Sequence, residues 1–273
     1  MTEREYVLGT GDDELARLAL QNRLWGDVSA KAFRRAELRM GHRVLDVGCG
    51  PGYASFDMAD VVTRYGSVLG IDESPAFIAQ AKQMAEARGI AHFDGVVGDV
   101  QDLDTVLANE QPFDFAYARW VLCFVPDPEA VIRGIANALA PGGRVAIQDY
   151  FDYGSMTCAP RCRSHDLAVQ ATMRSWRERG GDPDIGQRLP AMFADHGLQL
   201  DDVRAHLRIA RGSDTMFAWP KTWWHTFGPK LVAMGELKQS ECDELIDDLK
   251  HLEQGTGFIQ CPAVYEFQAT RSR

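Results

Sequence analysis

Residues 44–52, Val-Leu-Asp-Val-Gly-Cys-Gly-Pro-Gly, decide the fold. Val44 to Val47 form a short, mostly apolar run that reads as a buried strand. The glycines at alternate positions, Gly48, Gly50 and Gly52, read as the turn that ends it. Glycine has no Cβ, so such a turn lets backbone N–H groups come close to a ligand. The G-x-G-x-G spacing differs from the G-x-G-x-x-G of nicotinamide dinucleotide sites and from the G-x-x-x-x-G-K-[ST] of phosphate loops. Asp46, just before the glycines, is a poor neighbour for a pyrophosphate and suits a ligand carrying an amino group or positive charge.

Outward from this stretch the chain alternates between two periodicities. Strands are expected at 44–47, 68–72, 93–97, 113–118 and 143–148, with helices at 53–65, 75–88 and 128–140. Ser74-Pro75 is a helix start and Pro141-Gly142-Gly143 a stop. Nearly continuous apolar strands alternating with helices imply an α/β fold whose mostly parallel sheet is covered on both faces. Residues 12–40, with Leu15, Leu18, Trp25, Val28 and Phe33, predict one or two helices packed on this core or over its ligand cleft. Further on, helices are expected at 160–179, 187–196, 215–227 and 238–253, a sixth strand at 198–210 and a last strand at 262–269.

A chain of 273 residues fits one large domain, or one domain with a sizeable appendage. Its 45% hydrophobic and 25% charged content is that of an ordinary globular protein. No apolar run approaches the roughly 18 residues that span a bilayer, and the charged start lacks a signal-peptide core. The expectation is a cytoplasmic protein without a membrane partner. A net charge of −10 argues against a nucleic-acid substrate. The six cysteines, at 49, 123, 158, 162, 242 and 261, include no C-x-x-C pair and match no zinc pattern, so no metal is expected. Cys158 and Cys162 read as reduced thiols.

In an open α/β sheet, ligands bind outside the carboxyl ends of the strands where strand order reverses. The residues just past each expected strand therefore matter most. Asp72 lies twenty residues after Gly52, the spacing of an acid that takes both hydroxyls of a ribose. In Gly98-Asp99-Val100, a carboxylate can accept from an exocyclic amine while a neighbouring N–H donates to a ring nitrogen. Arg119, Trp120 and Val121 follow the fourth strand. Together these line a slot for a nucleoside with a polar tail.

With these residues in view, the sequence resembles the class I S-adenosylmethionine-dependent methyltransferases, of the broad group that includes ubiquinone and menaquinone methyltransferases and natural-product tailoring enzymes. The resemblance rests on VLDVGCGPG (44–52), GIDESP (70–75), GDVQDL (98–103), FDFAYARWVLCFVPDPEAVI (113–132) and LAPGGRVAIQD (139–149), in the family's order and spacing. GGDPDIGQRLP (180–190) also looks like a small-molecule subgroup. The resemblance implies a Rossmann-like, doubly wound, mostly parallel seven-stranded sheet with a helical N-terminal extension and helical C-terminal insertions. Residues 1–40 would be a helical lid, 41–150 the cofactor-binding core, and 151–273 substrate-recognition helices plus the last two strands. The implied cofactor is S-adenosyl-L-methionine, with S-adenosyl-L-homocysteine as product. Gly48, Cys49 and Gly50 would meet its methionine part and Asp46 its amino group. Asp72 would hold the ribose, Glu73 and Phe77 would flank the adenine, and Asp99 with Val100 would read its edge. At Arg119 the family contributes a backbone carbonyl to the amino group, leaving the side chain for the carboxylate or for Asp46. Glu73 departs from the family's usual apolar residue.

Methyl transfer from a sulfonium is an in-line displacement that needs mainly alignment and water exclusion. The acceptor is expected among the N-terminal helices and residues 150–230. Trp219, Trp223 and Trp224 fall within six residues, and the first two share one helical face that can cover a flat apolar ligand. His225, His165 and Asp149 are the candidate proton acceptors. Tyr6, Gln21 and Trp25 are candidates for the lid, with Gln21 in reach of the cofactor carboxylate. The function expected is O- or N-methylation of a small, apolar or aromatic acceptor. The alternatives are a non-catalytic cofactor-binding scaffold and a methyltransferase for RNA or protein. A nicotinamide dehydrogenase is disfavoured by the glycine spacing.

Overall fold

The computed structural model describes residues 11–272, excepting the side chain of Asp12; Tyr6 lies outside the described residues. In chain order the main elements are α1 (Asp12–Arg35), β1 (Arg43–Val47), α2 (Tyr53–Val62), β2 (Ser67–Asp72), α3 (Pro75–Arg88), β3 (Phe93–Val97) and α4 (Leu103–Val106). Then come β4 (Phe113–Arg119), α5 (Pro128–Ala138), β5 (Leu139–Asp152), β6 (Thr157–Ala159), α6 (Arg163–Glu178), α7 (Leu189–Asp195), β7 (Leu198–His206) and β8 (Ile209–Arg211). The chain closes with α8 (Ala218–Ala233), α9 (Gln239–Gln254), β9 (Phe258–Gln260) and β10 (Ala263–Arg271).

Seven strands form the central sheet in the order β3-β2-β1-β4-β5-β10-β7. The pairs from β3 through β5 are parallel, and β10 runs antiparallel to both β5 and β7. Strand order reverses between β1 and β4, where Val44 lies beside Val68 on one side and Phe115 on the other. The carboxyl ends of β1 and β4 therefore open a crevice there. Val44, Leu45, Val47, Ile71, Ala116 and Ile147 are fully buried, as strands covered on both faces require.

Local chemistry sets the element ends. Ser74 caps α3 by accepting from the Phe77 N–H at 3.3 Å, and Gly89 ends it at φ 69°. Helix α2 stops at Val62, before the expected 65, because Thr63 adopts φ 56°. Strand β5 begins at Leu139 and runs to Asp152, so Pro141-Gly142 bends the lead-in of a strand. The expected strand over 198–210 is divided after His206. Its remainder, β8, pairs with β9 in a three-stranded antiparallel sheet ordered β6-β9-β8. Helix α8 begins later than expected and continues through Pro229. Residues 12–35 form one helix, whose Trp25 is wholly buried. Among the described residues no helix is long and apolar enough to cross a membrane.

Candidate active site

The turn after β1 is fastened to β2: the N–H groups of Gly48 and Cys49 both donate to the Ile71 carbonyl, at 2.8 and 3.0 Å. Gly48 and Gly50 take φ values of 68° and 54°, the left-handed region that glycine enters at little cost. A Cβ on Gly48 would come within 2.4 Å of Val121 Cγ2, whereas one on Gly50 would meet nothing within 4 Å. The turn is thus packed at Gly48 and bare at Gly50, where it faces a cavity of about 490 Å³.

Asp72 closes the turn from the end of β2. Its Oδ2 accepts from the Gly50 N–H at 2.8 Å and its Oδ1 from the Ser74 N–H at 2.9 Å. Each oxygen keeps a further lone pair, enough for a vicinal diol. Burial pushes the Asp72 carboxyl up, and the two N–H groups oppose this. Asp46 is 2% exposed and accepts from Ser55 Oγ at 2.5 Å. Burial pushes it up to about 7, against the pull of Arg119. A cationic amino group arriving there would favour its ionised form. Arg119 is held from α1: its Nη1 donates to Ser29 Oγ at 2.9 Å and its Nη2 to Asn22 Oδ1 at 2.7 Å. Asp99 accepts from the Gln101 backbone N–H at 2.9 Å and caps the turn after β3. Burial raises the Cys49 thiol well above its ordinary range.

Asp46, Gly48, Cys49, Gly50, Asp72, Glu73, Phe77, Asp99, Val100, Arg119 and Gln21 all line this one cavity. Gln21 is engaged differently from the others. Its Oε1 accepts from Trp219 Nε1 at 3.0 Å and from Arg17 Nη1 at 3.1 Å. The donor set, the bare glycine and the paired acids fit a nucleoside bearing an aminoacyl tail.

Beyond Trp120 the lining becomes aromatic. Trp120 adopts φ 53°, a strained value for a bulky residue. Its ring packs on Trp219 at 5.8 Å and on Tyr150 at 6.3 Å between centroids. Trp176 joins the wall, 5.7 Å from Tyr150, 4.9 Å from Tyr153, 4.8 Å from Phe124 and 6.1 Å from Trp223. All of these rings line the cavity. Of the sequence candidates for the acceptor, Trp219 and Trp223 line it.

Trp224 does not. It is 0% exposed and packs edge-on against His165 at 5.4 Å, because one residue beyond Trp223 the helix turns its side chain away from the cavity. The three candidate proton acceptors also stand outside the lining. His225 is exposed, with Nδ1 2.8 Å from the Lys221 carbonyl. His165 is buried under Trp224, and that burial pushes it down to about 4. Asp149 is buried behind Cys123, where it accepts from the N–H groups of Leu122, Cys123 and Tyr150 at 3.0, 3.3 and 2.8 Å. It fastens the turn after β4, and burial pushes it up to about 6.

Sequence reasoning did not single out Arg17, Phe124, Tyr150, Tyr153 or Trp176. Trp176 sits on the face of α6 that also buries Ala168, Val169 and Thr172, a pattern that reads as core. Only the fold shows that this core borders a cavity.

A family model described as a methyltransferase domain matches residues 38–192. Over 216 residues the chain is 36% identical to phosphoethanolamine N-methyltransferase 1 of Triticum aestivum, covering 78% of this chain and 38% of that protein. Over 132 residues it is 36% identical to 2-phytyl-1,4-naphtoquinone methyltransferase of Synechococcus elongatus, covering 47% of this chain and 53% of that one. Its fold resembles that of phosphoethanolamine N-methyltransferase 2 of Haemonchus contortus, solved with phosphomonomethylethanolamine and S-adenosylhomocysteine. The TM-score is 0.56 at 18% identity, over 90% of this chain and 53% of that one. The chain thus spans about half or less of the length of these proteins.

Proposed function

Because this chain belongs to the class I S-adenosylmethionine-dependent methyltransferases, we propose that it transfers a methyl group to a small, planar, apolar or aromatic acceptor. The observation that carries this reading is the single cavity that joins the glycine turn and its acids to a continuous aromatic wall. The cofactor supplies a methyl group on a positively charged sulfur, which is already a good leaving group.

The chain's own residues supply binding and order. Asp72 holds the ribose hydroxyls, Gly48, Cys49 and Gly50 admit the aminoacyl tail, and Asp46 faces its amino group. Phe77 and Glu73 flank the adenine, with Asp99 and Val100 at its edge. Arg119, oriented by Ser29 and Asn22, stands at the tail's carboxylate. The rings of Trp120, Trp176, Trp219 and Trp223 stack the acceptor and keep water away, which is the larger part of what this reaction asks of a protein. In this scheme α1 is the lid, residues 41–150 hold the donor, and the segment from 151 onward recognises the acceptor.

Calorimetric titration with S-adenosylmethionine, followed by a methylation panel of naphthols, naphthohydroquinones and hydroxyanthraquinones beside phosphoethanolamine, tests the reading. Saturable cofactor binding with transfer to planar acceptors is expected. Absence of cofactor binding, or transfer to phosphoethanolamine alone, overturns it.

A further inference from the structure

The ionisable groups around the cavity are segregated. Asp46, Asp72, Glu73 and Asp99 lie at the ends of β1, β2 and β3, in the half assigned to the donor. Among the described residues, no Asp, Glu, His or Lys lines the aromatic half; its charged side chains are Arg17 and Arg179. Arg17 places its guanidinium 5.8 Å from the Trp223 ring centroid, and near enough to Tyr150 to oppose in small part the burial that pushes that hydroxyl up. Glu14 pairs with Arg17 at 2.7 Å but does not line the cavity. Arg179 follows α6, one turn from Trp176, and its Nη1 donates to the Ser175 carbonyl at 2.8 Å.

Among the described residues the aromatic half also lacks a base. The hydroxyls of Tyr150 and Tyr153 and the thiol of Cys123 are pushed far up by burial, so all three are neutral at physiological pH. Asp149, His165 and His225 are outside the lining. An acceptor that must lose a proton would find no group among the described lining residues to take it. One that binds already ionised needs none, and guanidinium groups favour it over a neutral or cationic relative.

We propose that the acceptor is a planar aromatic anion, methylated on an oxygen that is already ionised when it binds: a carboxylate, or an acidic phenol or enol. The bond made joins that oxygen to the methyl carbon. The bond broken joins the methyl carbon to sulfur, and its electron pair stays on the sulfur. The negative charge of the acceptor and the positive charge of the sulfonium cancel, and no proton moves. This inference rests on the planar-acceptor reading and adds to it the charge of the acceptor and the atom attacked.

The test uses three probes of one shape, 2-naphthoate, 2-naphthol and 2-naphthylmethylammonium, titrated at neutral pH into the full chain saturated with S-adenosylhomocysteine. The naphthoate is expected to bind about tenfold more tightly than either of the others. Arg179→Gln and Arg17→Gln should each reduce that preference about threefold, with S-adenosylhomocysteine affinity unchanged within about twofold, while Arg179→Lys retains the preference. Naphthol or the ammonium probe binding as tightly as naphthoate overturns the charge assignment and leaves the planar site standing. If none of the three binds, the planar-acceptor reading itself fails, and this inference with it.

Discussion

The indole N–H of Trp219 donates to the side-chain oxygen of Gln21 at 3.0 Å, fastening the aromatic wall on α8 to helix α1. Gln21→Leu removes the acceptor and leaves a nearly buried indole N–H and one Arg17 N–H without it. A loss of about 1–3 kcal/mol in unfolding free energy follows, the usual consequence of orphaning a buried donor. The near-UV circular dichroism of the tryptophans should change with it. Gln21→Glu, which keeps an acceptor oxygen, should retain both. An unchanged midpoint and spectrum in the leucine variant would show the link to be idle.

Asp72 does two jobs with one carboxylate, holding Gly50 and Ser74 and facing the cavity. Asp72→Ala should weaken S-adenosylhomocysteine binding by about two orders of magnitude, since hydrogen bonds to a charged acceptor contribute about 1.5–3 kcal/mol each. Asp72→Asn should fall between. Calorimetry reads the affinities, and a variant that binds within a factor of a few of the parent removes Asp72 from the ribose site.

Gly48→Ala and Gly50→Ala separate packing from ligand approach. Both incur the left-handed penalty of about 1–2 kcal/mol. Only at Gly48 does the new methyl collide with Val121, at 2.4 Å. The Gly48 variant is expected to unfold at clearly lower denaturant. The Gly50 variant should lose little further stability but most of its affinity for S-adenosylhomocysteine, because its methyl stands in the cavity. Equal stabilities for the two would contradict the packing described.

His165 makes acid stability testable. Burial lowers it from 6.5 to about 4, with Asp166 and Asp248 opposing. The folded chain therefore prefers the neutral ring. Its contribution is complete above the unfolded value and is lost as pH falls from 6.5 toward 4, by about 3 kcal/mol at most. Asp46 and Asp149, raised to about 7 and about 6, act in the opposite sense: they favour folding in acid and lose this as pH rises. The difference between parent and His165→Phe isolates the histidine, since the ring contact with Trp224 is kept. Relative to the parent, the variant should gain stability steadily below pH 6.5. A difference that is flat with pH would refute the assignment.

What the sequence made legible is local along the chain. Gly48, Gly50, Asp72, Asp99 and Arg119 each stand at or just past the end of a strand, so chain order alone brings them to one crevice once the sheet is parallel. Trp219 and Trp223 were visible as an i,i+4 pair. Trp224, one residue further along α8, points instead toward His165. Tyr150, Tyr153 and Trp176 carry no periodic signal that distinguishes a cavity wall from a core, and Arg17 reaches them only through the packing of α1. Asp149 looked available at a strand end, but β5 runs on to Asp152 and the turn after β4 takes its oxygens. The small sheet leaves no signal in the sequence because its strands are three residues each, too short for alternation to show.

Helix α1 has one further consequence. Asn22 and Ser29 hold Arg119 beside the glycine turn, while Gln21 holds Trp219 in the aromatic wall, and all three sit on a single stiff rod. A ligand that settles the rod on one side has already settled it for the other. Donor and acceptor should therefore raise each other's affinity by the same factor, as thermodynamic linkage demands, without any message passing through the sheet.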